Sequence, residues 1–238
     1  MSMDIIFISY DEPNADENFR ILQQYRPYAK RVHGIRGIRE AHIAAANHAI
    51  TSSFFVVDGD VQVLPNCAEV FDYEPPKWDK KYVHIWSSTN EVTGDSYGNG
   101  GIKMFSKKMF TNVSEKPYTD FSMGCGEGIK IMTTDVPCAV TKFNSTQFHA
   151  WRGAFRECAK LSFQFKSNQD MLTYNRLSRW IRIDPSKNIP FVKDVIQGAI
   201  TGTVIGTQMD DISSINDEAA VVALYNKLLI AQERYDQE

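Results

Sequence analysis

The chain has 238 residues, 43% of them hydrophobic and 23% charged, and its formal net charge at pH 7 is −3. These values are ordinary for a globular protein and argue against a disordered chain. No apolar run approaches the roughly 18 residues that a membrane-spanning helix needs. The four cysteines lack metal-ligand spacing, and an ordinary strand pattern stands where a signal peptide would, so we expect reduced thiols in a cytoplasmic protein that binds no membrane.

The first 57 residues alternate between strand patterns and helix patterns. Residues 4–10 (DIIFISY) are continuously apolar and rich in β-branched residues, which is typical of a buried parallel strand. The other elements predicted here are a helix over residues 16–25, a strand over 29–33, an Ala-rich helix over 38–50 and a strand over 53–57. This order predicts parallel strands joined by right-handed crossovers, with ligands at the carboxyl ends of the strands.

The pattern changes after residue 61. The predicted elements there are strands over residues 82–87, 102–105 and 137–143, glycine-rich loops over 94–101 and 119–128, and helices over 151–181, 190–206 and 217–235. We therefore expect an α/β core over residues 1–150, with a mainly parallel central sheet flanked by helices. A helical C-terminal region, residues 151–238, is expected to pack on it. Gly198, Gly202 and Gly206 fall four residues apart, which suits close helix packing.

Charge is distributed unevenly along the C-terminal part. Residues 142–193, the basic band, contain ten Lys or Arg against three Asp or Glu, a net charge of +7; residues 194–238 contain eight acids against two bases, a net charge of −6. Arg152, Arg156 and Lys160 are spaced four apart and therefore share a helix face. Such a face could bind a phosphate backbone, or it could be a solvated face paired with the acidic residues at 210–238. The sequence leaves both interpretations open.

An acidic triplet, Asp58-Gly59-Asp60, directly follows the third predicted strand. Because the two aspartates are two residues apart on an extended segment, their side chains leave the backbone on the same side. Gly59 leaves room for a turn and a ligand. Two hard oxygen donors at the end of a strand suit Mg²⁺ or Mn²⁺, which keep open positions for phosphate oxygens and can neutralise a departing nucleoside diphosphate.

The same triplet also fits a purely structural interpretation. Asp-Gly between two apolar runs (FFVV-DG-DVQVL) is one of the strongest short signals for a β-hairpin turn. The Ala-rich helix and the two parallel-type strands upstream favour the metal interpretation instead.

A segment around this triplet resembles a known family. The run from Gly37 to Ile50, containing Ala44-Ala45-Ala46-Asn47 and followed by FFVV and the triplet, is similar to the core of family-two-type GT-A glycosyltransferases. In that family a glycine opens a helix with an Ala-rich, Asn-containing face, and an apolar strand delivers an Asp-x-Asp motif. The arginine that often precedes the Asn is replaced here by Ala46, and His48 follows the Asn.

The match is closer to a group of small glycosyltransferases of T-even-like tailed phages. The match spans residues 4–160, with a weaker similarity around residues 215–217. It rests on four segments: ISYDEPNADENF, AKRVHGIRGIREAH, FFVVDGD and HAWRGAFRECAKLS. The resemblance implies a GT-A fold and metal-dependent transfer of a sugar, arabinose or a hexose, from a UDP-type nucleotide sugar. It also implies 5-hydroxymethylcytosine in phage DNA as the acceptor, and the cytoplasm of an infected bacterium as the location.

The resemblance also implies roles for individual residues. Asp58 would contact the ribose or the metal ion, Asp60 the metal ion, and His149 would complete the metal ligands. The residues expected to contact the donor are Ser9, Tyr10 and Asp11 at the base and ribose, Arg36 and Arg39 at the diphosphate, and Trp151 and Arg152 closing over the donor. For His149 the alternative is a capping or surface histidine before a helix.

A general base is needed if the transfer inverts the configuration of the sugar, since the acceptor hydroxyl must then lose its proton. Glu127 and Asp120, in the second glycine-rich loop, are the candidates, with Asp95 as a third. Plain surface acids are the alternative interpretation. His33 lies beside the predicted donor loop, whereas His42 and His48 are expected to be packing or surface groups.

Three further hypotheses remain beside sugar transfer to DNA. The first is the same chemistry on a small molecule, a glycan or a protein. The second is a metal-dependent nucleotidyltransferase, which shares the acidic motif but releases pyrophosphate. The third is a binding module for nucleotide sugars or DNA without catalysis. The segment Gly98-Asn99-Gly100-Gly101 does not fit the spacing of a P-loop or a dinucleotide site.

Overall fold

The computed structural model of the chain describes residues 2–111, 113 and 121–235. The chain divides into two compact units, Met1–Phe143 and Asn144–Glu238. The sequence-based division at residue 150 falls later, inside a helix that begins at Gln147. No helix among the described residues is both long enough and apolar enough to cross a bilayer.

The first unit is built on one mixed sheet. Its strands are β1 (Asp4–Ser9), β2 (Lys30–His33), β3 (Ser53–Asp58), β4 (Val61–Val63), β5 (Val83–Asn90), β6 (Ser96–Ser106), β7 (Ile129–Met132) and β8 (Ala139–Thr141), and its α-helices are α1 (Ala15–Tyr25), α2 (Ile38–His48) and α3 (Cys67–Val70). The strand order is β2-β1-β3-β6-β5-β8-β4, with β7 pairing β5. Four of the seven pairings among the described residues are parallel. The predicted α/β class, with a largely parallel sheet flanked by helices, is confirmed.

The strand–helix alternation at the start of the chain forms as predicted. β1 pairs in parallel with β2 on one side and with β3 on the other. The apolar runs of β1 and β3 are buried along nearly their whole length, because helices and loops cover both faces of these strands. The carboxyl ends of three strands therefore meet at one edge of the sheet.

The two faces of the sheet carry separate cores. On one face, Phe7 and Phe55 pack with Leu22 of α1. On the other face, Ile6 and Val56 pack with Ala45 of α2. Alternate residues of β1 and β3 thus face opposite cores, and α2 presents alanines to the sheet. His42 is fully buried in this second core, within 4.6 Å of the Phe121 ring, whereas His48 is exposed.

The glycine-rich segment over residues 94–101 was predicted as a loop, and this prediction is wrong for most of its length. Residues from Ser96 onward are already part of β6, which pairs with β5 across a shift of register between Trp86 and Ser88. Two of its glycines have close neighbours that leave no room for a side chain. A Cβ on Gly101 would lie 2.6 Å from Val61, and one on Gly98 would lie 2.6 Å from Ile131. The second glycine-rich segment contains a short 3₁₀ helix, Phe121–Gly124.

The second unit is helical: α4 (Gln147–Asn168), α5 (Met171–Ile181), α6 (Val192–Gln208) and α7 (Glu218–Tyr235). The predicted close packing of the glycines in α6 is confirmed. A Cβ built on Gly198, Gly202 or Gly206 would lie 2.2–2.3 Å from a backbone carbonyl oxygen of α4. The two helix backbones can approach this closely only because these positions lack side chains.

Replacing Gly202 with alanine should therefore destabilise the protein. Ala is favoured over Gly in a helix by roughly 1 kcal/mol, but here the methyl group would collide with the Phe155 carbonyl, which is backbone and cannot rotate away. We expect a net loss of about 3 kcal/mol in the free energy of unfolding, measured by urea denaturation. Gln197→Ala, on the exposed side of the same helix, is the control and should change stability little. Equal stability of the Gly202 variant and the wild type would contradict the packing described.

Asp4 is the first residue of β1, at the edge of the sheet opposite the carboxyl ends of β1, β2 and β3. Its side chain connects β1 to β2 and to the segment between α2 and β3. Its carboxylate accepts hydrogen bonds from Lys30 Nζ of β2 (2.6 Å) and from the backbone amides of Ile50 (2.7 Å) and Thr51 (2.9 Å). Its side chain is only 10% exposed. Burial raises the pKa of Asp4, but these hydrogen bonds outweigh it and lower the pKa from 3.8 to about 2.

Because the folded pKa of Asp4 is depressed, its contribution to stability is present above the unfolded value of 3.8 and is lost as the pH falls through about 2. We expect Asp4→Asn to lower the free energy of unfolding by about 1–2 kcal/mol at pH 7. This difference from the wild type should shrink between pH 4 and pH 2 in denaturation curves. Asp16→Asn is the control, since its 92% exposed side chain makes a surface ion pair with little effect. A difference that does not depend on pH would refute the assignment to Asp4.

Candidate functional site

The triplet Asp58-Gly59-Asp60 lies at the carboxyl edge of the sheet. Asp58 is the last residue of β3 and stands beside Ile8 of β1 in the parallel register. The hairpin interpretation is wrong, because β3 pairs with β1 and β6 whereas β4, which follows the triplet, pairs with β8. The triplet therefore leads the chain from one part of the sheet to another, next to the end of β1.

The backbone of the triplet is held by contacts from both sides. Asn18 of α1, which is buried, donates from Nδ2 to the carbonyl of Gly59 (2.9 Å). The amide of Lys142 donates to the carbonyl of Asp60 (2.7 Å). A Cβ on Gly59 would lie 2.6 Å from Glu12 Oε2 and 3.0 Å from Ser9 Cβ. Glycine at this position leaves room for Ser9 and for the Glu12 carboxylate of the loop after β1.

Asp58 is held by a buried lysine. Lys103 Nζ of β6 donates to both carboxylate oxygens of Asp58, each at 2.9 Å. The Lys103 side chain is 6% exposed and the Asp58 side chain 26%. Lys103 was not predicted as a site residue, because its only signal in the sequence is a lysine between Ile102 and Met104 in an apolar strand.

Asp60 lies in a strongly acidic environment. Burial raises its pKa to about 7, and the neighbouring carboxylates of Asp58 and Glu12 contribute to the same shift, although Lys103 partly opposes it. We call Glu12, Asp58 and Asp60 the acidic cluster. No role was predicted for Glu12, which becomes a member because its carboxylate folds back to accept a hydrogen bond from the Tyr10 amide (2.8 Å).

The donor chemistry of the acidic cluster fits a divalent cation. Three carboxylates concentrate negative charge here, with Lys103 paired to Asp58, and a hard cation bound by carboxylate oxygens would relieve their repulsion. Within the described part of the chain, no group of three or more His, Cys, Asp or Glu side chains has the arrangement of a complete metal site. The fit is therefore to an ion such as Mg²⁺ or Mn²⁺, which is held by one or two carboxylates and completed by water and phosphate.

The loop after β1 carries the predicted donor residues Ser9, Tyr10 and Asp11. Ser9 is buried, and its hydroxyl contacts His33 Nδ1 (3.0 Å) and accepts a hydrogen bond from Arg31 Nε (2.9 Å). Tyr10 is 39% exposed and Asp11 is exposed. Ser9 is thus occupied within the protein, whereas the Tyr10 ring is accessible to a ligand at the same edge as the acidic cluster.

The loop between β2 and α2 carries the predicted diphosphate residues. Gly34 and Gly37 both adopt positive φ (76° and 98°), which lets this loop turn sharply before α2 begins at Ile38. Arg36 is exposed, and Arg39 lies in the first turn of α2, where its guanidinium is 3.3 Å from Glu40. The loop is linked to β1 by a hydrogen bond from the Gly34 amide to the Ser9 carbonyl (3.0 Å).

The structure does not bring Glu127 to the acidic cluster. Glu127 precedes β7, which begins beside Val83 at the start of β5, and this is the edge of the sheet opposite the triplet. Its carboxylate is 61% exposed and forms an ion pair with Lys81 (2.6 Å). This position argues against the general-base prediction for Glu127. Asp120 lies outside the described residues, and Asp95 is buried just before β6.

The remaining predicted residues belong to the second unit. His149 is in the first turn of α4, where its Nδ1 lies 2.7 Å from the hydroxyl of Thr146, the N-cap residue. Trp151 is fully buried and stacks on Phe155, with the ring centroids 4.9 Å apart. This environment accounts for Trp151 as a packing residue and does not favour contact with a donor. Arg152 is partly exposed. The ligand role of His149 stays a prediction.

Part of the basic band is neutralised within the second unit. Glu157 pairs with both Arg176 (2.5 Å) and Lys160 (3.1 Å). Arg156 donates to Asn216 (2.5 Å), and Lys166 lies 3.9 Å from Asp210. Of these contacts, the one between Lys166 and Asp210 is an ion pair with the acidic residues at 210–238 that the solvated-face interpretation names.

The chain is similar to solved structures only at low sequence identity. No family model matches the sequence, and no curated protein matches it. Among solved structures, a glycosyltransferase involved in glycosylation of the major capsid of PBCV-1 is 14% identical, with a TM-score of 0.37 over 60% of this chain and 94% of that chain. Mannosyltransferase PcManGT from Pyrobaculum calidifontis, in complex with GDP-Man and Mn²⁺, is 12% identical, with a TM-score of 0.44 over 100% and 81%.

A third similar structure, S. aureus TarS 1-349, is 10% identical, with a TM-score of 0.36 over 92% of this chain and 91% of that chain. The activity of the present chain therefore has to be argued from its own residues.

The close contact between Gly59 and Glu12 gives a test of the site geometry. Gly59→Ala should lower the free energy of unfolding by about 1–3 kcal/mol, because the new methyl group displaces the Glu12 carboxylate and presses on Ser9. Glu12→Ala in the same chain should recover most of this loss, since it removes the nearer obstacle. Urea denaturation of both single variants and the double variant measures the coupling. Additive effects would show that the two residues do not touch.

Proposed function

We propose that the chain is a metal-dependent glycosyltransferase that takes a sugar from a nucleotide-sugar donor. The observation that carries the proposal is the acidic cluster at the carboxyl edge of parallel strands, where open α/β sheets bind nucleotides. The rejected hairpin would have left the triplet as an ordinary turn. Instead, a glycine fixed by packing separates two aspartates beside the loop that follows β1.

A bound Mn²⁺ or Mg²⁺ would act as a Lewis acid that neutralises the charge developing on the leaving nucleoside diphosphate. Asp60 would hold this ion, and Asp58 would contribute at the metal or at the donor ribose. His149 is the third ligand that the family resemblance suggests. The positive end of α2, with Arg36 and Arg39, suits the diphosphate, since helix N-termini attract anions.

For the rest of the donor we propose a UDP-type nucleotide, carrying arabinose or a hexose. The Tyr10 ring and Asp11 are exposed at the end of β1, where a base and a ribose would lie, and Arg152 is the candidate for closing over the donor. The choice of uridine and of the sugar rests on the resemblance to the phage glycosyltransferases.

For the acceptor we propose 5-hydroxymethylcytosine in DNA, with a small molecule, a glycan or a protein as the alternative. The support is the resemblance, together with the basic residues of the second unit that remain exposed, such as Arg179, Arg182 and Lys187. A cationic surface attracts a phosphate backbone.

Incubation with Mn²⁺, a panel of nucleotide sugars and hydroxymethylated DNA, followed by mass spectrometry of the nucleosides, tests the proposal. We expect a mass increase of one sugar on hydroxymethylcytosine and release of nucleoside diphosphate. Asp60→Asn should lower the rate by about 100-fold or more, because it removes charge stabilisation at the leaving group. Asp210→Asn, at a fully exposed position of the second unit, is the control and should act as the wild type.

The other outcomes separate the alternatives. Release of pyrophosphate would identify a nucleotidyltransferase. Hydrolysis of a donor without modified DNA, and without DNA binding that weakens steeply with salt, would move the acceptor to another class. No turnover of any nucleotide sugar would refute the proposed activity.

A further inference from the structure

Lys103 is an unusual residue for its position. It lies in the middle of a buried strand, opposite Val56 of β3 and Ile85 of β5. Burying a lysine ammonium costs several kcal/mol unless a partner compensates the charge. The compensating group is the carboxylate of Asp58. Asp58 follows Val56 by two residues in β3, so its side chain lies on the same face of the sheet as those of Val56 and Lys103. An apolar residue would pack at this position without the cost of burying a charge, so packing alone does not explain the lysine.

The pair is geometrically specific. One ammonium group contacts both oxygens of Asp58 at the same distance, 2.9 Å, so the carboxylate is held in one orientation. The Asp58 side chain is 26% exposed, so a ligand can reach part of it. The two aspartates of the triplet thus differ: Lys103 donates directly to Asp58, whereas the carboxylates of Asp58 and Glu12 act on Asp60 and Lys103 opposes them only in part.

We propose that Lys103 is a positioning residue that keeps Asp58 out of the coordination of the cation, and so assigns the two aspartates to different tasks. Asp60 holds the cation. Asp58, fixed and neutralised by Lys103, accepts hydrogen bonds from hydroxyl groups of the donor. This inference rests on the proposed function, because it concerns the same site, and it adds a residue to which the sequence assigned no role.

The physical reason is competition for the same oxygens. An ammonium group on both oxygens of Asp58 lowers the attraction of this carboxylate for a second cation. A hydroxyl group, in contrast, needs only a lone pair and carries no charge, so it can bind to the outer side of the carboxylate while Lys103 stays in place. Lys103 would therefore favour the donor's hydroxyls over the metal at Asp58.

Binding of Mn²⁺ to the protein alone, measured by electron paramagnetic resonance without any donor, tests this division. Lys103→Met keeps the length and apolar body of the side chain but removes its charge. We expect Lys103→Met to bind Mn²⁺ more tightly than the wild type, on the order of tenfold, since the ammonium group that competes with the ion for the Asp58 oxygens is removed. Equal or weaker binding would overturn the proposal.

The double variant Lys103→Met/Asp58→Asn tests directly whether Asp58 is a metal ligand. It removes both charges of the pair, so no buried charge is left without its partner. If Asp58 is not a ligand, this variant binds Mn²⁺ within about threefold of the wild type, because the net charge of the site is unchanged. A loss of tenfold or more would show that Asp58 is a metal ligand after all. Urea denaturation of each variant shows whether it is folded.

Asp60→Asn separates failure of this inference from failure of the proposed function. It should abolish Mn²⁺ binding in the same measurement, and retained binding would mean that the metal site itself is misplaced. In turnover with saturating Mn²⁺, Lys103→Met should raise KM for the donor more than it lowers kcat, and Lys103→Arg should restore part of the loss. An equal fall of kcat with unchanged KM would contradict a role in holding Asp58 for the donor.

Discussion

The lateral pairing of β3 is the constraint on which the rest of the site depends. β3 is hydrogen-bonded to β1 on one side and to β6 on the other, so Asp58 at its end has fixed neighbours in both directions. On the β1 side these are Ile8 and the loop that carries Glu12. On the β6 side the register brings Lys103 close enough to reach the carboxylate. Since β3 is already paired on both edges, β4 cannot fold back on it, and the Asp-Gly sequence cannot close a hairpin.

This arrangement also explains the raised pKa of Asp60. Burial contributes most to the increase, and repulsion from the carboxylates of Asp58 and Glu12 adds to it. Lys103 offsets part of it but is anchored to Asp58. The acidic cluster therefore keeps a net negative charge, because Lys103 compensates it only in part. A divalent cation is the natural group to supply the remainder.

The sequence predicted the first half of the fold well because its signals are local. Apolar runs such as DIIFISY and SFFVV, interrupted by amphipathic segments, specify strand, helix and strand without long-range information, and the glycines of α6 follow a spacing that only helix packing explains. The triplet could likewise be found by its chemistry. The assignment to a sheet edge followed from the general placement of ligands at the carboxyl ends of parallel strands.

The failures have a different physical origin. Lys103, Glu127 and the glycines of β6 have meanings that depend on which strands pair, and strand pairing is set by contacts distant in the sequence. A glycine-rich loop and a glycine-rich strand look the same until Val61 and Ile131 are known to press against it. Glu127 seemed suited to a ligand-facing loop, but the parallel pairing of β7 with β5 places it at the opposite edge.

The surface charge of the basic band likewise depends on contacts that the sequence does not reveal. A count of ten basic residues suggests a cationic surface, yet Glu157 alone engages two of them, and others contact Asn216 and Asp210. The sequence sum therefore overstates the cationic surface of the basic band, whose exposed basic residues include those at the end of α5 and in the segment before α6. The regularly spaced residues of α4 are therefore not a uniform cationic face, because Lys160 pairs with Glu157 and Arg156 donates to Asn216.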